Sequence, residues 1–595
     1  MKELLYPFDS SYIMKHRRSL KKELLNEVGR QRIKKNIAVL GGSTTNDIVS
    51  VTELFLLNNG IEPSFYQSEY AQYWQDAIFP NPELEEFKPD FIYIHTSSRN
   101  LTGFEFSMTS SAAEIDATLE NEFSRFVQMW ETLEEKYNCP IIQNNFEMPF
   151  YRLLGNTDAS DIHGKINFIT RLNLKFYEYA QNHSSFYIND INYMSASYGL
   201  EKWSAPIYWY MYKYALCIEA IPELSYNIAN IIKSLIGKNK KAFALDLDNT
   251  LWGGVIGDDG QDGIEIGQET PVAQAFSEFQ SYIKAHKQLG VLLTVCSKND
   301  HENAILGLEH RDSILKPDDF VSIKANWSSK DMNISDISSE ISILTDSFVF
   351  IDDNPAEREI VSAQLPDTPA VNIGNVENYI QHIDRNGFFE ITSFSSDDIK
   401  RNEMYMANAQ RTQQMKRFEN YTDYLLSLEM NASIADFPSV YIARITQLTN
   451  KSNQFNLTTK RYTEEEMRLV ANDNGYIRLC GKLTDKFGDN GIVSVVIGKK
   501  DGNSLHMDLW LMSCRVLKRD MELAMLDALV GKCRECGINE IIGYYFKTAK
   551  NNMVSELYKS FGFDLVSDNG SDTVWKLNIE SYENKNKVIN VKNTF

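Results

Sequence analysis

The sequence predicts an α/β protein with two parallel sheets, followed by a smaller α+β domain. From residue 31 to about residue 390, short apolar runs alternate with amphipathic helical stretches, as in parallel strands joined by helical crossovers. A chain of 595 residues is long enough for several domains of roughly 100–200 residues each. Its hydrophobic fraction of 43% and charged fraction of 24% are those of an ordinary globular protein.

The composition argues against several classes of partner. A formal net charge of −21 disfavours nucleic acid, since a phosphate backbone requires a clustered basic face. No window approaches the roughly 20 uninterrupted apolar residues of a membrane span. Seven cysteines are scattered, and the CxxC pair of Cys533 and Cys536 has no second pair to complete a zinc site. We therefore expect a cytoplasmic protein with no nucleic-acid and no membrane partner.

The first α/β domain is predicted over residues 31–235, after a helical leader of residues 1–30. Its expected strands are apolar runs that end in polar or turn residues: IAVLGG (37–42), FIYIHT (91–96), PIIQNN (140–145) and FYIND (186–190). The stretch EIDATLENEFSRFVQMWETLEEKY between two of these runs has the apolar spacing of an amphipathic helix. A Gly/Lys/Asn linker near residues 236–241 marks the predicted end of the domain.

The second α/β domain is predicted over residues 241–390. Its buried strands are KAFALDLDN (241–249), VLLTVCSKN (291–299) and SFVFIDDNP (347–355). A helical linker is expected over residues 394–430 and a mixed α+β domain over residues 431–578, with IVSVVIG and HMDLWLM as strands and MELAMLDALVGKCREC as a helix. The last residues, 579–595, are polar and are expected to form a frayed tail.

Carboxylates end two strands of the second domain. Asp246 and Asp248 end the first strand, and the alternation of side chains along a strand places both on the same side. Asp352 and Asp353 end another strand. Ser297 ends a third strand, which lies between these two strands in the sequence. Because the carboxyl ends of parallel strands form the edge where α/β sheets bind ligands, we expect these side chains to form one site.

Together with Lys330, these residues resemble the four motifs of the haloacid-dehalogenase superfamily: a DxDxT strand end, a strand-terminal Ser or Thr, a Lys and an acidic pair. The resemblance implies phosphoryl chemistry, in which Asp246 attacks phosphorus. Asp248 protonates the leaving oxygen and then activates water. Ser297 and Lys330 hold the transferring oxygens, with Lys324 as the alternative to Lys330.

The implied cofactor is Mg²⁺, a hard cation that binds oxygen ligands. Asp246, the backbone carbonyl of Asp248, and Asp352 or Asp353 would supply these oxygens, while Thr250 would position the loop. The intervals between the four motifs leave no room for a large cap domain. Such a site suits a substrate that is presented on a protein or covered by a neighbouring domain.

A closer resemblance, over roughly residues 30 to 578, is to the FkbH-like family. It rests on long runs: LDLDNTLWGGVIGDDG (245–260), VCSKND (295–300), ANWSSK (325–330), FIDDNPAERE (350–359), LTNKSNQFNLTTKRYT (448–463), DKFGDNGIVSV (485–495), LMSCRV (511–516) and YYFKTAKN (544–551). It implies a phosphorylated small-molecule acyl donor, 1,3-bisphosphoglycerate, whose glyceryl unit is loaded onto the pantetheine thiol of an acyl carrier protein. Thr250 and Asn299 are the candidate substrate contacts in the first two runs.

Two cysteines within these runs are candidates for a thiol that carries the acyl unit. Cys296 adjoins Ser297, and Cys514 lies in the SCRV segment of the third domain. The alternative for each is a small buried hydrophobic residue. A reactive thiolate would require a lowered pKa.

The third domain ends in SELYKSFGFDLV, which resembles the closing motif of GNAT acyltransferases. The segment RVLKRD (515–520) stands where that family has its pyrophosphate loop, RxxGxG, at the start of a helix. Lys518 and Asp520 replace the glycines, so we expect no binding of free acyl-CoA. Arg515 and Lys518 are candidate phosphate contacts for a carrier-borne pantetheine arm, and the alternative is a solvated helix start.

The first domain resembles an SGNH-hydrolase fold, with Ser43 after one strand and Asn100 after another. That family's DxxH motif would place a histidine three residues after Asp190, where this chain has Tyr193. A serine esterase needs a base to activate its hydroxyl group. The sequence therefore favours docking of a carrier protein or oligomerisation over esterase activity.

The leading interpretation is a Mg²⁺-dependent phosphatase coupled to acyl loading, in secondary-metabolite or polysaccharide assembly. One alternative is a stand-alone phosphomonoesterase whose flanking domains only bind partners. Another is a non-catalytic scaffold, which the complete set of catalytic motifs disfavours.

Overall fold

The structure is a computed structural model that describes residues 1–27, 32–103, 107–394, 396–415, 417–452, 454–548 and 550–592. The chain divides into two compact units, Met1–Leu235 and Ile236–Phe595. A five-stranded sheet lies in the first unit, and a four-stranded and a nine-stranded sheet lie in the second. The predicted boundary at residues 30 and 31 and the end of the predicted tail fall outside the described residues.

The first unit is built on a parallel sheet in the order β2-β1-β3-β4-β5. Its strands are β1 (Ile33–Gly41), β2 (Ile61–Gln67), β3 (Phe91–His95), β4 (Ile141–Asn144) and β5 (Phe186–Asn189). This flavodoxin-like order confirms the predicted parallel sheet and places its ligand-binding edge at the carboxyl ends of the strands.

Helices cover both faces of this sheet: α1 (Ser10–Leu25), α2 (Asn46–Asn58), α3 (Tyr73–Ile78), α4 (Pro82–Phe87), α5 (Ala112–Tyr137), α6 (Lys165–Asn182), α7 (Ile191–Tyr198), α8 (Leu200–Trp203), α9 (Pro206–Tyr212) and α10 (Ile221–Leu235). The long helix α5 begins at a capping box in which Ser111 and Glu114 exchange side-chain and backbone hydrogen bonds. Its apolar stripe buries Phe126 and Trp130 in the core of the unit.

The second unit begins with a parallel sheet in the order β8-β7-β6-β9. The strands are β6 (Ala242–Leu245), β7 (Leu292–Ser297), β8 (Ser322–Ala325) and β9 (Phe348–Ile351). The helices are α11 (Ile256–Asp259), α12 (Pro271–Gln288), α13 (His301–Glu309), α14 (Lys330–Ile341), α15 (Pro355–Gln364) and α16 (Tyr379–Asp384). Since only loops and helices of at most 18 residues connect these strands, the sheet has no large cap domain, as the sequence predicts.

A helical segment leads from this sheet to the third one: α17 (Ser396–Ile399), α18 (Arg401–Met415) and α19 (Tyr421–Ser427). Helix α18 contacts both neighbours. Tyr405 is buried in the cluster formed by α14 and the four-stranded sheet. Farther along the helix, the Arg411 guanidinium forms two hydrogen bonds with the Asp485 carboxylate, at 2.7 and 2.9 Å. The helical segment therefore anchors the two sheets of the second unit to each other.

The third sheet is mixed, in the order β16-β17-β15-β14-β13-β12-β10-β18, with β11 paired to β14. Its strands are β10 (Asn431–Ala435), β11 (Phe455–Asn456), β12 (Tyr476–Asp485), β13 (Gly488–Asp501), β14 (Ser504–Met512), β15 (Glu540–Phe546), β16 (Asp564–Asp568), β17 (Asp572–Asn578) and β18 (Asn590–Lys592). Its helices are α20 (Ile442–Lys451), α21 (Glu464–Asn472), α22 (Met521–Glu535) and α23 (Leu557–Ser560). The α+β character confirms the predicted fold class.

The prediction of a frayed tail is wrong for the described part of it. Strand β18 pairs in parallel with β10, from Asn431 opposite Asn590 to Ser433 opposite Lys592. Ile589, just before the strand, is buried in the core of the third sheet. The polar composition hid this strand because a few apolar residues, Ile589 among them, and a backbone ladder hold it.

None of the helices described in the structure is long and apolar enough to cross a membrane.

Candidate active site

The candidate active site lies at the carboxyl edge of the four-stranded sheet. Asp246 directly follows β6, and its backbone N–H donates to the Ile351 carbonyl at the end of β9, at 2.9 Å. Asp352 follows Ile351, so the pairing of β6 with β9 brings the two aspartates side by side. Ser297 ends β7, which pairs with the other edge of β6.

Lys330 joins the two aspartates. Its ammonium group lies 2.8 Å from an Asp246 oxygen and 2.5 Å from an Asp352 oxygen. It is the first residue of α14 and is 2% exposed. The alternative, Lys324, forms an ion pair with Glu340 instead, at 3.1 Å. The structure thus places Lys330, and not Lys324, at the carboxylates.

The pKa values of this cluster reflect burial and mutual charge. Burial, followed by the negative charge of Asp246, raises the pKa of Asp352 to about 6. The same two causes raise the pKa of Asp353. Burial alone would lower the pKa of Lys330, but the carboxylates of Asp246 and Asp352 raise it above its usual value. Lys330 is therefore cationic at neutral pH.

The carboxylates also fit a divalent cation. One oxygen each from Asp246, Asp352 and Asp353 can be chosen so that all three lie within 4.8 Å of one another. Carboxylate oxygens are the ligands that Mg²⁺ prefers. Three carboxylates against the single charge of Lys330 also leave a negative excess, which a divalent ion would balance. The residues present therefore suit the predicted cofactor.

Asp248 is held by three hydrogen-bond donors. The Trp252 indole N–H and the Ile256 backbone N–H donate to one oxygen, at 3.0 and 3.1 Å, and the Asn299 amide donates to the other, at 2.9 Å. Burial raises the pKa of Asp248, while the first two donors oppose this shift. Asn299 thus contacts a predicted catalytic carboxylate. Trp252, which is fully buried, was not predicted as a site residue.

The loops around the site are fixed by hydrogen bonds of their own. The Asp353 backbone N–H donates to the Thr250 hydroxyl at 3.2 Å, so Thr250 positions the acidic loop. The Arg358 guanidinium donates to the carbonyls of Asp352 and Asp353, each at 2.7 Å. No sequence motif indicated this role for Arg358, because its partners are backbone atoms.

The prediction that Cys296 carries the acyl unit is contradicted by the structure. Cys296 is fully buried in the apolar cluster between the four-stranded sheet and its helices. Burial raises the pKa of the thiol far above its usual value. Strand alternation turns its side chain to the opposite face from the neighbouring Ser297. Cys296 is a small core residue.

Cys514 is partly exposed and lies at the junction of the third sheet with α18. Its sulfur is 3.6 Å from the Tyr405 hydroxyl. Tyr405 belongs to the apolar cluster on the helix-covered face of the four-stranded sheet. Of the two candidate cysteines, Cys296 is buried and Cys514 is partly exposed.

The predicted phosphate contacts near α22 are only partly in place. Arg515 is 7% exposed and turned inward, donating to the Ser513 hydroxyl at 3.2 Å and to the Met404 sulfur. Its proposed role at a phosphate is therefore wrong. Lys518 is exposed. Lys518 and Asp520 both have positive φ, 62° and 59°, so the loop keeps the left-handed backbone that glycine would favour.

The SGNH-like residues of the first unit do not assemble a serine-esterase arrangement. The Asn100 amide donates to the Gly42 carbonyl at 2.8 Å, and the buried Ser43 hydroxyl has no hydrogen-bond partner among the described residues. Asp190 caps α7 by accepting from the Tyr193 backbone N–H, and the Tyr193 side chain is 59% exposed. Neither residue offers a base to Ser43.

Comparison with known proteins gives two findings that bear on the class. Residues 36–233 match the family described as FkbH, N-terminal domain. The crystal structure of the N-terminal part of a Bacteroides fragilis protein, containing a phosphatase domain complexed with Mg, is 27% identical to this chain. It covers 64% of this chain and 99% of its own, with a TM-score of 0.59. None of the curated proteins that were compared matches the chain.

Two acetyltransferases resemble a smaller part. A GNAT superfamily phosphinothricin acetyltransferase from Sinorhizobium meliloti covers 25% of this chain and 88% of its own, at 18% identity and a TM-score of 0.21. The Escherichia coli ribosomal-protein-S18-alanine N-acetyltransferase covers 25% of this chain and 94% of its own, at 12% identity and a TM-score of 0.20. Scores this low support no conclusion about the third sheet.

The sheet order and the aspartate site define the class of this part of the chain. It is a phosphatase core of the haloacid-dehalogenase type. Residues 36–233, which precede this phosphatase core, are similar to the FkbH N-terminal domain.

Proposed function

We propose that the second unit is a Mg²⁺-dependent phosphatase that uses Asp246 as its nucleophile. The observation that carries the proposal is the convergence of Asp246, Asp352 and Lys330 at one strand edge. The likeness to the Bacteroides phosphatase domain complexed with Mg supports it.

The chain's own residues account for each step. An Asp246 oxygen attacks phosphorus, the bond from phosphorus to the leaving oxygen breaks, and Asp248 gives its proton to that oxygen. Water then attacks the aspartyl-phosphate and gives a proton to Asp248, so that phosphate leaves and both carboxyl groups return to their starting state. Lys330 and Ser297 hold the phosphoryl oxygens, and Trp252 with Asn299 keeps Asp248 in place.

A bound Mg²⁺ would neutralise the charge shared by the carboxylates and the phosphoryl group. Asp246, the carbonyl of Asp248, Asp352 and Asp353 are the residues that would hold it. Arg358 keeps the loop of Asp352 and Asp353 in the required position.

The proposed substrate is a phosphorylated three-carbon acyl donor, 1,3-bisphosphoglycerate, and the proposed acceptor is an acyl carrier protein. In the acyl step, a thiolate attacks the acyl carbon, the bond from that carbon to the phosphate oxygen breaks, and phosphate leaves. The remaining phosphomonoester is the substrate of the Asp246 site. The absence of a cap favours such a protein-bound substrate, and Cys514 is the candidate thiol on the enzyme.

The test is incubation of the full chain with 1,3-bisphosphoglycerate, Mg²⁺ and a phosphopantetheinylated carrier protein, with phosphate release and the intact mass of the carrier as readouts. We expect the carrier to gain the mass of a glyceryl unit. Phosphate release without that gain would favour the stand-alone phosphomonoesterase instead.

Asp246→Asn separates the phosphatase from a scaffold. We expect it to lower hydrolysis of the phosphomonoester by at least about 10³-fold, since a carboxamide is not a nucleophile. Asp262→Asn, an exposed aspartate of the same sheet region, is the matched control and should retain activity. Equal activity of the two variants would contradict the assignment of Asp246.

A further inference from the structure

One tryptophan is exposed at the edge of the sheet that carries the candidate active site. All eight tryptophans lie in the described residues, and Trp327 is the only one of them whose side chain is exposed, at 72%. It belongs to the loop after β8, at the carboxyl edge of the four-stranded sheet. A large apolar ring in water at a ligand-binding edge is available for a contact with a ligand.

The loop that carries Trp327 is anchored on both sides. The Asn326 backbone N–H donates to the Ser297 carbonyl at 3.2 Å. The Asn326 side chain accepts from the Ser328 backbone N–H at 2.9 Å and exchanges two hydrogen bonds with the Asn333 side chain of α14, at 3.0 and 3.1 Å. Trp327 therefore projects from a loop that is fixed to the end of β7 and to α14.

The indole ring is itself held by Asp300. The indole N–H of Trp327 donates to an Asp300 carboxylate oxygen at 3.0 Å. Asp300 is the N-cap residue of α13, a position where an aspartate side chain normally accepts a backbone N–H of the helix, yet this side chain forms no capping hydrogen bond. The carboxylate binds the indole instead. A ring that is both exposed and fixed loses little conformational freedom when a ligand packs on it.

Trp327 and Asp300 adjoin residues of the proposed reaction. Asn299, which precedes Asp300, donates to the Asp248 carboxylate at 2.9 Å. Since Asp248 protonates the leaving oxygen, the organic part of the substrate, which is bonded to that oxygen, begins on this side of the site. Lys330, three residues after Trp327, begins α14 and contacts the nucleophile. These connections place the loop of Trp327 at the rim of the site.

We propose that Trp327 is a specificity-determining residue of the phosphatase site, and that its indole packs on the part of the substrate beyond the three-carbon unit. In the proposed function, on which this inference rests, that part is the pantetheine arm that joins the glyceryl unit to the carrier protein. Next to the thioester, the arm is an uncharged chain of methylene and amide groups, which an aromatic face contacts by dispersion. Because the site has no cap domain, a fixed ring at its rim supplies part of the cover over the substrate.

The test compares a long and a short substrate, the 3-phosphoglyceryl thioester of pantetheine and free 3-phosphoglycerate, with the full chain and Mg²⁺. We expect Trp327→Ala to raise KM for the thioester about tenfold with little change in kcat, since the indole contact is the same in the ground state and the transition state. KM for 3-phosphoglycerate should stay within about twofold of the value for the parent protein.

Leu289→Ala is the matched control. Leu289 is also an exposed apolar side chain, but it follows α12 and precedes β7, at the opposite edge of the same sheet. This variant should leave both KM values unchanged. If Trp327→Ala changed kinetics equally with the two substrates, or left KM for the thioester unchanged, the proposal would be wrong, because Trp327 would then act only through the position of its loop.

Variants of Asp300 test the hold on the indole. Asp300→Asn keeps an oxygen that accepts from the indole N–H, so it should have the KM values of the parent protein. Asp300→Ala frees the ring and should raise KM for the thioester by a smaller factor than Trp327→Ala does, without an effect on 3-phosphoglycerate. Equal kinetics of the two Asp300 variants would contradict the role given to this carboxylate.

Binding distinguishes a failure of this proposal from a failure of the proposed function. Asp246→Asn should bind the thioester without hydrolysing it, and the addition of Trp327→Ala should raise Kd about tenfold, as measured by calorimetry. If the parent protein releases no phosphate from either substrate, the proposed function fails and Kd alone decides. A thioester that does not bind, or that binds both Asp246→Asn proteins equally, would overturn the role of Trp327.

Discussion

At the scale of single residues, the sequence indicated the groups that react, but of the groups that hold them it indicated only Thr250. The spacing of Asp246, Asp248, Ser297, Lys330 and the acidic pair was legible because each follows a strand or begins a helix at the same edge. Trp252 and Arg358 were missed. The Trp252 indole N–H bonds to one carboxylate and the Arg358 guanidinium bonds to backbone carbonyls, and neither interaction produces a sequence motif. Cys296 failed as a candidate for the acyl-carrying thiol because strand alternation, which the sequence does show, turns its side chain into the core.

Trp252→Phe tests the hold on Asp248. Loss of the indole N–H should lower kcat about tenfold for an alkyl phosphate such as glycerol phosphate, whose leaving oxygen needs a proton. The effect on an acyl phosphate such as acetyl phosphate should be smaller, since that leaving group departs without one. Trp510→Phe is the control, because Trp510 is also fully buried and its N–H has no partner among the described residues. Equal losses with both substrates would assign Trp252 to packing alone.

At the scale of elements, strands with a continuous apolar run were predictable and those without one were not. Strands β1, β3, β6, β7 and β9 contain continuous apolar runs because both of their faces are covered. Strands β2 and β8, each at one edge of its sheet, were missed, whereas β5 and β9 at the opposite edges were predicted. The sequence of β2, IEPSFYQ, contains a proline, which an edge strand tolerates and a central strand does not. Strand order also escaped prediction, because it is set by packing between segments distant in sequence.

A buried carboxyl group in the loop after β4 should make the first unit sensitive to pH. Burial raises the pKa of Glu147 to about 7. Since burial favours the protonated carboxyl group, the stability that this group contributes is complete below its pKa in the unfolded chain. That stability is lost as pH rises through about 7, a change of roughly 3 kcal/mol at most in the free energy of unfolding. Glu147→Gln should therefore be more stable than the parent protein at pH 8 and similar to it near pH 4.5, as measured by thermal unfolding.

The same substitution at Glu122 should change stability in the opposite direction. It is 3% exposed but forms an ion pair with Arg125 at 2.5 Å. Glu122→Gln should destabilise the protein at neutral pH, because it leaves a partly buried guanidinium without its counter-charge. If Glu147→Gln and Glu122→Gln changed stability in the same direction at pH 8, the predicted destabilising effect of the buried Glu147 charge would be wrong.

At the scale of the whole molecule, the division into two compact units predicts that they respond to different ligands. Mg²⁺ binds the native second unit, so it should raise the free energy of unfolding of that unit only. The increase should be roughly 2.7 kcal/mol when the ion is at about 100 times its Kd. Differential scanning calorimetry of the full chain should show one transition that moves with Mg²⁺ and one that does not. Asp352→Asn should abolish the movement, and a shift that persists in this variant would locate the ion elsewhere.

The parallel pairing of β18 with β10 bears on how the protein is handled. Without residues 586–595, the outer backbone groups of β10 would face solvent, and an unprotected sheet edge recruits strands from other chains. Such a truncated protein should scatter light on standing at concentrations where the full chain stays clear. An affinity tag fused directly after a shortened terminus would carry the same risk of aggregation. A tag placed after Lys592 would leave β10 paired with β18.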